Sequence, residues 1–273
     1  MNHPKTFSLH EASLFYLFTL GGSLFTFGKC GALCFITASL MGAVTLLIAF
    51  FLKNHRSKPL LVLLAAFSFS NGVYTFCKFV YFIREKQLFH TPLFLIGAVF
   101  AAVVIFLFLS PQKAVLKFSL VAAVFCVLLF GVLFFTTVKN AEIKDIRLAF
   151  DFDFKETLKV YFSLFLPAVI PVFFTKSTVS SAEAGINAVS VTLLAFIILT
   201  YCTFGSINSR LDSPILSLVD TANVGRVFTR LDALLLAVIY LSCLTRCAVS
   251  FKSVRDIFAT FNAKKSGCQL TKN

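Results

Sequence analysis

Two pairs of helix-disrupting residues fall inside apolar runs of this chain, and the chemistry the sequence offers gathers around them. Leu20-Gly21-Gly22-Ser23 lies in the first run, and Leu166-Pro167-Ala168-Val169-Ile170-Pro171 in the sixth. Paired glycines let a helical backbone unwind, while each proline removes a backbone donor and crowds the preceding turn. An interrupted helix exposes bare peptide groups. Amides freed at a half-helix N-terminus suit a carboxylate, and freed carbonyls suit an ammonium group. A small zwitterion such as an amino acid fits such a place without any charged side chain. Gly21, Gly22, Ser23, Ser163, Phe165 and Ala168 are the candidate lining, with Asn71 and Thr75 added as polar residues deep in the third run. Blander roles compete at each position. Glycine pairs permit close helix packing, Pro167 and Pro171 bend a helix, and Ser70-Asn71-Gly72 forms interhelical hydrogen bonds.

Other chemistries find no support. Glu11 and Asp232 are the acids within the apolar runs, each near a helix start, so no carboxylate pair is set up for acid–base work. His3, His10, His55 and His90 are dispersed. Cys30/Cys34 and Cys243/Cys247 are each four apart, which puts each pair on one helix face as small packing residues, not as a metal site. No enzyme, metal or cofactor is expected. The formal charge of +13 could suggest nucleic acid, but the basic residues sit in short clusters between apolar runs and form no basic face with aromatic platforms. Of the cations inside the runs, Lys117 and Lys159 stand at run starts, and Lys78 and Arg246 lie deeper. The deeper two are expected to snorkel, Arg246 towards the inner interface.

The elements that must carry these residues are membrane helices. Hydrophobic residues make up 58% of the 273 and charged ones 14%, more apolar surface than a water-soluble domain can bury. A run of about 20 apolar residues spans the hydrocarbon core, and lipid forces it to be helical. About eight such runs are expected: Leu9–Phe27, Cys30–Leu52, Pro59–Ile83, Thr91–Leu109, Val115–Val138, Leu158–Phe174, Ala188–Phe204 and Leu231–Phe251, followed by a polar tail. The chain therefore reads as an all-α polytopic membrane protein in a single transmembrane domain. The opening residues have no signal-peptide pattern, so the first run reads as a retained span. Lys139–Thr157, rich in both acids and bases, reads as a solvated loop with a short interfacial helix. The loop Lys53–Lys58 and the basic residues after Phe251 tip a nearly even charge balance towards a cytoplasmic N-terminus.

Position sharpens the reading. Transporters built of two inverted five-helix repeats interrupt the first helix of each repeat, helices 1 and 6. Here the glycine pair is in run one and the proline pair in run six. Residues 1–138 then form the first repeat (helices 1–5) and 158–251 a partial second one (helices 6–8).

One block is more specific. Phe204-Gly205 closes the seventh run, Pro214-Ile215-Leu216 opens a short amphipathic segment, and Gly225, Phe228, Arg230 and Asp232-Ala233 lead into the eighth. In order and spacing this resembles the permease-like B-subunit family of bacterial spore germinant receptors, within the amino acid–polyamine–organocation transporter superfamily. The resemblance extends at pattern level to Leu20-Gly21-Gly22 and to Phe162-Ser163. It implies a truncated 5+5 inverted-repeat fold with broken helices 1 and 6. It also implies a subunit of the spore inner membrane, or of the bacterial cell membrane. Such a subunit binds a small nutrient, often an amino acid, works with A-type and C-type receptor subunits, and triggers germination. Pro167, Pro171, Pro214, Gly225, Arg230 and Asp232 are then structural motif residues. The chain departs from the family in having Tyr240 and no Trp in the eighth run, in having Phe165-Leu166-Pro167 where a Glu usually follows, and in showing eight spans where the family has ten. Two alternatives stay open: a secondary amino-acid transporter, or a degenerate membrane protein that keeps only the outline of the fold.

Overall fold

The computed structural model describes residues 8–23, 30–54, 57–86, 90–138, 150–174, 178–211, 214–221 and 231–270. Gly225 and Arg230, with the rest of 222–230, lie outside them, as do 24–27 of the first expected span and most of the acid-rich loop. All regular structure among the described residues is helical. The order is α1 (Leu9–Ser23), α2 (Ala32–Asn54), α3 (Lys58–Lys86), α4 (Leu93–Leu109), α5 (Gln112–Val138), α6 (Phe154–Val160), α7 (Val169–Phe174), α8 (Val179–Phe204), α9 (Pro214–Thr221) and α10 (Leu231–Leu270). Between α6 and α7 the chain stays helical, as a π turn at Tyr161–Phe165 and a 3-10 turn at Leu166–Ala168. Among the described residues, six helical segments are long and apolar enough to cross a membrane: Ala32–Lys53, Pro59–Glu85, Gln112–Val138, Phe154–Phe174, Val179–Phe204 and Leu235–Ala259. The chain is a multi-pass helical membrane protein by this architecture.

α1 and α10 form the centre. Leu14, Phe15, Leu17, Phe18 and Leu20 of α1 are fully buried, as are Leu235, Val238, Cys243, Cys247, Ala248 and Val249 of α10. A helix that is apolar and buried on all sides belongs inside a bundle. α10 packs on α1, α3, α4 and α7, and α1 packs also on α5 and α8. The outer helices do the reverse and turn large apolar side chains outward, among them Leu40, Phe51, Phe94, Phe106, Val121 and Phe135. Water would penalise that surface, whereas hydrocarbon accepts it. Many serine and threonine hydroxyls return to carbonyls one turn back, as Ser119 does to Val115 and Ser242 to Val238, which satisfies them in lipid, whereas Thr19 Oγ1 and Ser68 Oγ are buried without a hydrogen bond among the described residues.

Close approach at the centre depends on small residues. A Cβ on Gly185 would stand 2.3 Å from the Ala12 carbonyl oxygen, and one on Gly21 would stand 2.6 Å from that of Ser242, so α8 and α10 both press directly on α1. The expected Phe-Gly turn is present. α8 ends at Phe204, and Gly205 takes φ 53°, a positive-φ conformation that suits glycine. Pro214 opens α9, whose Ile215 and Leu218 are buried, and Asp232 lies in the first turn of α10.

One sequence expectation is corrected here, and another falls at the edge of the described residues. α1 is helical through Gly21 and Gly22 to Ser23, its last described residue, and the expected interruption beyond the pair lies outside the described residues. Within α1 the pair packs closely against α10. The eighth span does not stop at Phe251, since α10 continues as one helix to Leu270.

Candidate functional site

The sixth membrane segment carries the local distortion that its prolines dictate. Pro167 has no N–H, so the carbonyl four residues earlier, that of Ser163, cannot receive the usual helical bond from it. The chain meets this by widening into the π turn and then tightening into the 3-10 turn around Pro167. The segment changes its turn type while staying helical, so the expected gap of unwound peptide is absent.

The Ser163 carbonyl is taken by a side chain from another helix. Arg246 Nη2 donates to it at 2.8 Å and to Asn71 Oδ1 at 2.7 Å, and Arg246 Nε donates to the same Oδ1 at 3.2 Å. Asn71 Nδ2 in turn donates to Ser250 Oγ at 2.8 Å, one turn further along α10. Ser163 Oγ donates to the Gly22 carbonyl at 3.1 Å. The guanidinium lies 5.5 Å from the centre of the Phe18 ring. α1, α3, the π turn and α10 therefore meet at one polar node inside an otherwise apolar bundle.

Arg246 overturns its own expectation. It is 2% exposed and does not snorkel. The reason is the length of α10: Arg246 sits near the middle of the apolar window Leu235–Ala259, about 16 Å from one end and 20 Å from the other at 1.5 Å per residue. Lys252, expected among flank charges, is also buried and bonds the Ser110 carbonyl. Lys78 is exposed, over the Tyr74 ring, as snorkelling requires.

Among the described residues the Arg246 charge has no carboxylate partner, and its Nη1 is buried without a hydrogen bond. Nη1 lies against Gly22, where an added Cβ would stand 1.6 Å from it and 2.4 Å from the Ser163 carbonyl oxygen. Only glycine fits at position 22. Beside the node, a groove of about 560 Å³ is lined by Tyr74, Lys155, Leu158, Lys159, Phe162 and, as its one residue shared with the node, Ser163.

The sequence-derived candidates divide accordingly. Gly22, Ser163 and Asn71 are brought together. Thr75 is one turn from Asn71 and gives its hydroxyl to the Asn71 carbonyl at 2.8 Å, so it stiffens α3 beside the node. Gly21 faces the Ser242 backbone and supports packing. Ser23 ends α1, and its side chain is outside the described set. Phe165 points elsewhere, since it fills the space over Gly42 and stands 5.8 Å from the Phe35 ring on α2. Ala168 is buried in the 3-10 turn with Pro167, and Pro171 follows in α7. Cys243 and Cys247 pack as expected, their thiols facing the Gly21 and Gly72 carbonyls at 3.7 and 3.6 Å. Cys30 and Cys34 are likewise buried and free. Sequence reasoning missed Arg246 and Ser250 as members of the node. The signal was present, because an arginine within an apolar run is expensive and calls for a partner, and Asn71 was the buried polar side chain able to serve.

No family model, curated protein or solved structure matches the chain.

Proposed function

We propose that this protein is the nutrient-binding membrane subunit of a spore germinant receptor, with the polar node as its ligand site. The observation that carries the binding role is the convergence on Arg246 of Gly22 from α1, Ser163 from the π turn of the sixth segment and Asn71 from α3. Such a node costs stability in an apolar bundle, and a π turn with a displaced carbonyl is a common companion of function. The receptor assignment rests on the block from Phe204 to Ala233 and on the glycine and proline pairs of segments one and six. In this reading the chain lies in the spore inner membrane with its N-terminus in the cytoplasm and works beside A-type and C-type subunits. A small nutrient of the amino-acid class binds at the node and shifts the complex between two conformations of different affinity.

A germination assay across single nutrients, in spores carrying Gly22→Leu, tests this. The leucine side chain collides with the guanidinium, so the response to the cognate nutrient is lost while the protein is still found in the membrane fraction. A normal response with Gly22→Leu refutes a site at the node.

A further inference from the structure

The structure holds a cation with an unsatisfied donor at the node. Arg246 is fully enclosed, uses Nε and Nη2 on neutral oxygens, and among the described residues leaves Nη1 without an acceptor. A neutral amide and a carbonyl do not cancel a guanidinium charge in a low-dielectric interior, where a lone buried charge is strongly disfavoured. The group that would relieve it is an anion small enough to reach mid-bundle. A carboxylate matches in charge, in planarity and in accepting through two oxygens.

The approach to the node has the same sign. The groove that includes Ser163 carries Lys155 and Lys159, and Lys155 forms no ion pair among the described residues. Lys159 is paired with Glu156. Its walls are otherwise Tyr74, Leu158 and Phe162, which suit a small apolar side chain. A basic lip over an apolar wall fits a compact carboxylic acid better than an amine.

From these observations we infer that the ligand is held by its carboxylate on Arg246 Nη1, a side chain of α10, and not on free amides of α1. This rests on the node being the nutrient site. It also gives binding a mechanical consequence. Gly22 lies against Nη1 so closely that even a methyl group overlaps, so a carboxylate reaches Nη1 only as the last turn of α1 draws aside. Ser163 Oγ releases the Gly22 carbonyl in the same movement. Ligand occupancy and displacement of α1 are then one event, which supplies the two states that a receptor requires.

The test uses the full chain in lipid nanodiscs and two matched probe series, the twenty L-amino acids and their carboxamides, titrated by calorimetry. The best amino acid binds about 10- to 100-fold more tightly than its amide, the loss expected when a charge-assisted hydrogen bond is removed. Arg246→Gln brings the acid down to the affinity of the amide and leaves the amide unchanged. Because that variant removes a buried anchor, the acid-to-amide ratio of the natural chain is the primary reading and does not depend on its folding. Equal affinity of acid and amide overturns the carboxylate assignment while the nutrient site stands. Binding of neither series overturns both. Hydrogen exchange of the backbone amides at 20–23 rises when the acid is bound, and unchanged exchange overturns the coupling to α1.

Discussion

Asn71 is the residue on which the buried charge depends. Its Oδ1 accepts from both Nε and Nη2 of Arg246, and its Nδ2 satisfies Ser250. Asn71→Ala removes the acceptor for two charged donors while the guanidinium stays in the bundle. Hydrogen bonds to charged groups contribute about 1.5–3 kcal/mol, and removing one partner from a buried charge costs about 3–5 kcal/mol. A loss of about 3 kcal/mol is therefore expected for Asn71→Ala. Arg246→Met keeps an unbranched apolar stem, removes the charge, and leaves a neutral amide short of donors, which costs about 1–3 kcal/mol. In the double variant neither group awaits a partner, so its loss falls short of the sum by about 1.5 kcal/mol or more. Unfolding of the four proteins in mixed micelles, followed by helical circular dichroism, closes the cycle. Additivity within about 0.5 kcal/mol would mean that the two side chains do not support one another, and the node as described would be wrong.

Three further outcomes follow from other contacts. Pro167→Ala returns an N–H that competes with Arg246 for the Ser163 carbonyl, so ligand affinity falls although thermal stability in micelles holds or rises; weaker binding together with a lower melting temperature would contradict this. Gly185→Ala sets a methyl 2.3 Å from the Ala12 carbonyl oxygen and forces α8 away from α1, costing about 1–3 kcal/mol in the same unfolding assay, with no loss counting against the tight α1–α8 contact. With the N-terminus in the cytoplasm, a cysteine placed at Asn54 in a cysteine-free background reacts with an impermeant maleimide only after the cytoplasmic side is opened, whereas one at His90 reacts from outside; the reverse pattern inverts the topology.

The residues alone determined that this is a helical membrane protein, because 36 Phe and long apolar runs leave no soluble alternative, and lipid admits only internally bonded segments. They also located the distortion of the sixth segment, since a missing N–H at Pro167 is a covalent fact wherever the chain folds. The glycine pair was legible as special but not in its use. A glycine in sequence permits either unwinding or close contact, and which occurs depends on whether another helix arrives, as α10 does at Gly21 and Gly22. The largest change lay at Arg246. Sequence measured its distance from the end of a run of apolar letters, whereas its fate was set by how far α10 continues and by Asn71 and the Ser163 carbonyl standing opposite, on helices about 175 and 83 residues away in the chain. Local chemistry is written in the order of residues. The meeting of a charge with its distant acceptors is decided only when the helices pack.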